Sequence, residues 1–143
     1  MPMQRNCIHI SMWYYKNQPF TEADESYQGF VYLITNLSNN KMYVGKKNFW
    51  SIRKLRPLKG QKRKRTVKQE SDWKEYYGSN EEVKLLVEDG VQFRREILRL
   101  CKTKTEMTYY EMKEQIDREV LFKEEYYNEF IGGKVNSRGL QTK

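Results

Sequence analysis

Gly29-Phe30-Val31-Tyr32-Leu33-Ile34-Thr35-Asn36-Leu37-Ser38-Asn39-Asn40-Lys41-Met42-Tyr43-Val44-Gly45 is the stretch from which the rest of this chain can be understood. Two apolar runs rich in β-formers flank Asn36–Lys41, a stretch of turn residues, and that pattern predicts a hairpin. Alternation puts Val31 and Leu33 on one face of the first strand and Tyr32 and Ile34 on the other. The hairpin brings Tyr32 and Tyr43 to one small sheet. Lys46, Lys47, Arg53, Lys54 and Arg56 come directly after it. Paired phenols beside cations point to a site that handles phosphate.

The rest of the chain supports a basic, charged domain. Its 143 residues suffice for one domain with a working core. The formal charge is +8, from 27 basic and 19 acidic residues. Such a balance fits a polyanionic partner, most simply nucleic acid, or merely a basic soluble protein. No basic stretch carries a strong apolar face, which argues against a membrane surface. Cys7 and Cys101 lie far apart and, even with His9, cannot make a four-ligand zinc site. Two lone thiols and no signal peptide or apolar span predict a protein of the reducing cytoplasm. Cys101 is expected as a core thiol.

Three regions are expected. Residues 1–28 form an aromatic arm with Ile8-His9-Ile10 as an edge strand, and residues 29–131 form the main domain. Residues 132–143 form a tail. Within the domain, residues 48–56 read as a short helix ended by Pro57. Residues 59–70 hold one apolar residue, Val67, and are expected as a mobile basic loop, either a solvated charge run or a clamp on phosphates. Ser79 with Glu82 reads as a capping box, and Gly90 as the end of that helix. A third strand is predicted over 92–100. A helix is predicted over 105–122, with Met107, Tyr110, Ile116, Val120, Leu121 and Phe122 as its apolar contacts. The natural packing is α+β, a small three-stranded antiparallel sheet flanked by helices.

Gly29-Phe30-Val31-Tyr32 and Tyr43-Val44-Gly45 resemble the paired motif of the GIY-YIG nucleases, with Phe30 in the place of the first motif's glycine. The tyrosines stand eleven positions apart, as that family requires. Arg53, eight positions after Gly45, matches the family's next marker. Gly45-Lys46-Lys47-Asn48-Phe49 is similar to the family's lead-in to its first helix. Trp73-x-x-Tyr76-Tyr77-Gly78-Ser79 is similar to a stretch recurrent in phage-borne, homing-type members. The resemblance covers about residues 29–130. It implies a fold of three antiparallel strands with helices, and a DNA endonuclease.

Phosphodiester hydrolysis needs a deprotonated water, positive charge beside the phosphorane, a stabilised leaving oxygen and an in-line substrate. A hard divalent cation with oxygen ligands serves the leaving group, so Mg2+ or Mn2+ is the expected cofactor. Glu106, Glu111, Glu114 and Glu119 are all candidate ligands. The resemblance implies a glutamate mid-helix before a Tyr-Asn pair, which selects Glu111, with Glu114 next. It further implies Tyr32 as the phenol that activates water, with Lys46, Lys47 and Arg53 as cations able to favour its ionised form. Tyr43 would bond the water or phosphate, and Arg53 would grip the phosphate. Lys46 would orient it, and Asn128 would shape the site, with Asn136 as an alternative. Lys47, Lys54, Lys62, Arg63, Lys64 and Arg65 are expected to bind DNA, with a protein partner as a further source of sequence specificity. One histidine excludes an HNH nuclease. Two other readings fit the charge: a module that binds nucleic acid without cutting, and a factor whose basic loop docks on an acidic protein.

Overall fold

A computed structural model describes residues 12–135 and 140. Cys7, His9, the expected edge strand at 8–10 and Asn136 lie outside the described residues. The hairpin forms as expected. Strand β3 (Gly29–Asn36) pairs antiparallel with β4 (Met42–Asn48), and Tyr32 lies opposite Gly45. Nearly every residue of β3 is buried, because both of its faces are covered. Phe30, Tyr32 and Ile34 face an aromatic core with Trp13, Phe49, Trp73, Val83, Phe93 and Ile97. Val31 and Leu33 face a second core with Val44, Cys101, Met107 and Val120. Burial pushes the Cys101 thiol pKa up to about 12, so this cysteine is inert packing.

The sheet is larger than three strands. Its order is β2-β1-β7-β3-β4, with β1 (Trp13–Tyr15), β2 (Gln18–Phe20) and β7 (Phe93–Cys101). The expected antiparallel trio β7-β3-β4 is its centre. Strand β1 adds parallel to β7 and antiparallel to β2, so the sheet is mixed. Lys16 and Asn17 make the tight β1–β2 turn at positive φ, 52° and 65°, where asparagine is among the tolerated residues. Trp13 anchors this extension: it is buried and donates its indole N–H to the Trp73 carbonyl at 2.7 Å.

Helix α1 (Glu81–Glu88) is capped by Asn80, whose side chain accepts from the Val83 N–H; the cap is therefore one residue past the expected Ser79. Gly90 comes after the helix at φ 90°, the left-handed stop that glycine permits. Helix α2 (Lys104–Asp117) starts at Thr103, which accepts from Glu106 N–H, and lays Met107 on the second core. It ends five residues before the expected Phe122. Arg118–Phe122 turns instead, with Glu119 at φ 54°. Val120 is buried there, but Ile116, Leu121 and Phe122 are exposed. Their apolar character continues the helical pattern without marking a core.

The largest departure is at 48–70. In place of a helix and a loop there are two paired strands, β5 (Trp50–Leu55) and β6 (Arg65–Glu70). They form a ribbon separate from the main sheet. Its root is fixed. Phe49 is fully buried, Trp50 donates its indole N–H to the Tyr27 carbonyl, and Ser71 bonds the backbone of Asn48 and Phe49. Beyond the root, Ser51–Lys54 and all of β6 are exposed.

Candidate active site

The site grows from the outer edge of β4, where the two faces of the sheet meet. Alternation along β4 sends Tyr43 to the aromatic face and Val44 and Lys46 to the α2 face. The edge itself is bonded by the segment after α2. Met42 exchanges backbone bonds with Glu125 and Tyr127. Asn128 then reads one residue's backbone twice over: its Oδ1 accepts from Val44 N–H at 3.0 Å, and its Nδ2 donates to Val44 C=O at 2.8 Å. Gln115 of α2 donates to the same carbonyl at 3.1 Å. A cleft of about 370 Å³ opens beside this edge, lined by Tyr43, Ser79, Asn80, Glu111, Gln115 and Asn128, with Glu81, Glu82 and Glu129 at its rim.

Glu111 is the carboxylate inside that cleft, with a side chain 15% exposed. Burial pushes its pKa up, and Lys46 partly opposes the shift. The Lys46 ammonium stands 4.0 Å from the carboxylate and donates to the Thr108 hydroxyl at 2.7 Å. Thr108 lies one turn before Glu111 on α2 and steers the lysine toward it. A Mg2+ ion keeps several waters and takes one or two protein carboxylates with substrate phosphate. Among the described residues no group of three His, Cys, Asp or Glu could cage a metal. One shielded carboxylate opening on a polar cleft fits the weaker, hydrated mode of Mg2+ binding.

Tyr32 sits behind Gly45. A Cβ added at Gly45 would lie 2.3 Å from the Tyr32 hydroxyl, so glycine makes the space that this phenol fills. At Gly78 (φ 96°) an added Cβ would press on the same hydroxyl at 3.2 Å and on the Tyr43 ring at 3.4 Å. Burial, with Tyr76 and Tyr43 alongside, pushes the Tyr32 pKa well above its ordinary value. The expected cations do not offset this, so the phenol is neutral at physiological pH. Tyr43 is also shifted up, chiefly by burial, and its hydroxyl lies 3.3 Å from Ser79 Oγ.

Further side chains hold the wall of the site. Lys47, expected on DNA, instead bonds Asp72 at 2.6 Å and lies 4.1 Å over the Tyr76 ring. Arg95, buried in β7, donates to the Lys74 and Tyr76 carbonyls and lies against the Trp13 and Tyr77 rings. Together these ties hold 72–78 so that Tyr76 meets Tyr32. The sequence does contain a signal for Arg95: Phe93, Arg95 and Ile97 share one period-2 face. Gln115 and Thr108 carry no such mark on a charged helix.

Tyr43, Glu111 and Asn128 thus converge on one cleft; Lys46 stands beside it, 4.0 Å from Glu111, and Tyr32 lies behind Gly45. Arg53 does not line it. It stands exposed on β5 opposite Val67, and Lys54, Lys62, Arg63, Lys64 and Arg65 share that ribbon and its tip.

The family model described as "Putative endonuclease segE, GIY-YIG domain" matches residues 13–131. The chain belongs to the GIY-YIG family. It is a DNA endonuclease, a hydrolase of phosphodiester bonds. No curated protein and no solved structure matches the chain. The matched span begins at Trp13, so the GIY-YIG domain includes the β1–β2 extension that anchors the aromatic core. No helix among the described residues is long and apolar enough to cross a membrane.

Proposed function

We propose that this GIY-YIG chain cuts DNA at the β4 cleft with a divalent cation held by Glu111. The observation that carries the reading is Glu111 itself, a carboxylate shielded from water yet open to a cleft that it shares with Tyr43, with the Lys46 ammonium 4.0 Å away. When bound, Mg2+ or Mn2+ supplies positive charge to the leaving oxygen. Lys46 places its ammonium beside the phosphate from the rim. Tyr43 turns its hydroxyl into the cleft to orient the attacking water or a phosphate oxygen. Tyr32, neutral at rest, hydrogen-bonds until cations at the site lower its pKa and it releases its proton to solvent; the phenolate then takes the water's proton. Asn128 fixes the β4 backbone from which Tyr43 and Lys46 project. Arg53, exposed on the ribbon and not in the cleft lining, grips the duplex there together with Lys54, Lys62, Arg63, Lys64 and Arg65.

Plasmid nicking tests this reading. Wild type is expected to nick with Mg2+ and not with EDTA, and Glu111→Ala is expected to lose nicking while keeping DNA binding. Unimpaired cutting by Glu111→Ala would move the metal to another carboxylate, Glu114 first. Binding without cutting, across sequences and metals, would favour the non-cleaving module.

A further inference from the structure

The net charge of this protein is confined to one place. Residues 50–70 hold nine of its 27 basic residues and one of its 19 acidic ones, a net +8. The remaining 18 basic and 18 acidic residues cancel. All of the surplus therefore sits on the β5–β6 ribbon and its tip. The cleft, by contrast, is rimmed by Glu81, Glu82 and Glu129. A polyanion meeting this molecule is drawn to the ribbon before the cleft.

The ribbon also lacks a core of its own. A two-stranded hairpin is marginal in water without a third strand or a packed face. Here the root supplies the fixed packing, while Ile52 and Val67 stand 68% and 42% exposed. Alternation and the antiparallel register sort its side chains. Trp50, Ile52 and Lys54 share one face with Thr66, Lys68 and Glu70; Ser51, Arg53 and Leu55 share the other with Arg65, Val67 and Gln69. The first face is turned to the body at its root. Lys68 lies 4.8 Å over the Trp50 ring, and Glu70 accepts from the Trp73 indole at 2.6 Å. The second face carries two arginines, a glutamine and two apolar side chains, Leu55 and Val67, which are types that read base edges and thymine methyls.

We infer that the β5–β6 ribbon is a second DNA-binding element, which seats in the major groove of duplex DNA with Arg65, Val67 and Gln69 toward the base edges. Two strands about 4.8 Å apart fit a groove about 12 Å wide, which admits a β-ribbon. The cations of the tip, Lys62, Arg63 and Lys64, straddle the phosphates. The root at Phe49 and Trp50 continues directly from β4, so the seated ribbon sets which phosphate reaches the cleft. This rests on the endonuclease reading above for its substrate, but it is tested by binding alone.

The test uses full-length Glu111→Gln in EDTA, with affinity for a random-sequence duplex measured across salt. Lys62→Gln, Arg63→Gln, Lys64→Gln and Lys68→Gln together are expected to reduce the salt slope by about 3–4, at about 0.9 per phosphate contact. Unchanged affinity and slope would overturn the proposal and assign the ribbon's charge to another polyanion, such as an acidic protein. The groove is tested with duplex in which 7-deazaguanine removes the guanine N7 acceptor from the major groove. The parent chain is expected to bind it several-fold more weakly, and the combined variant Arg65→Gln, Val67→Ser, Gln69→Ala to bind both duplexes alike. Equal binding of both duplexes by the parent chain, or a preference for single strands, would overturn major-groove seating. Unchanged melting temperatures show that these exposed substitutions leave the fold intact. A failed cleft assignment would appear separately, as nicking that survives Glu111→Gln.

Discussion

Strand β3 and the β5–β6 ribbon are built on opposite terms. Six of the first seven β3 residues are buried, and each face of that strand closes on its own core. Every residue of β6 is exposed, and so is β5 from Ser51 to Lys54. The first is held by what it excludes from water, the second by a backbone ladder on a fixed base. The division suits an enzyme that must keep reacting groups within fractions of an ångström yet meet a large, irregular polymer. Rigidity sits under the cleft, and charge sits on the part least needed for folding.

Substitutions can test that contrast. Trp73 should show the greatest loss, since it is fully buried among Phe20, Phe30 and Phe49. Trp73→Ala is expected to cost about 3–5 kcal/mol in denaturant unfolding. Gly45→Ala comes next. Its methyl would overlap the Tyr32 hydroxyl, so unfolding should show a loss of about 1–3 kcal/mol, with nicking falling alongside. Glu111→Gln should act in the other direction. The folded pKa of Glu111 lies above its ordinary value, so the native state holds its proton more tightly than the unfolded state does. Stability from this group is then lost as pH rises through the folded pKa. The Gln variant is expected to melt higher than wild type at pH 7, with the gain vanishing near pH 4, while activity is lost. The mildest change belongs to the ribbon. Ile52→Ser should change stability by less than about 0.5 kcal/mol, and a larger loss would mean that the ribbon contributes to the core after all.

The sequence is most readable where burial is two-sided or alternates. Strands β3, β4 and β7 and the body of α2 carry signals strong enough to place these elements, whereas Glu111 is singled out among four helix carboxylates by the family resemblance alone. The ribbon is hidden because its pairing arises from backbone register and a fixed root, not from an apolar face. With Val67 as the single apolar residue of β6, no period exists to detect. Strand β1 is equally hard to see, because three residues are too few for a pattern, although Trp13 is among the most buried side chains. The Tyr32 phenol lies in the sheet as expected, but its ionisation runs opposite to expectation. Cations near in sequence, such as Lys47, are spent on Asp72 and Tyr76, and burial decides the shift. Ser79 loses the helix cap to Asn80 by one position, which no residue-type rule separates, since both are good caps.

The grip of Asn128 on Val44 also governs how this protein keeps company with its own copies. An outer strand with free N–H and C=O groups invites another chain to add alongside it. Here a side-chain amide occupies both backbone groups of Val44, and the Met42–Tyr126 bridge occupies the stretch before it. One asparagine thereby takes the place of a sixth strand without filling the space that a substrate needs. An enzyme with its cleft on a sheet edge has to leave that edge accessible to DNA while closing it to polymerisation.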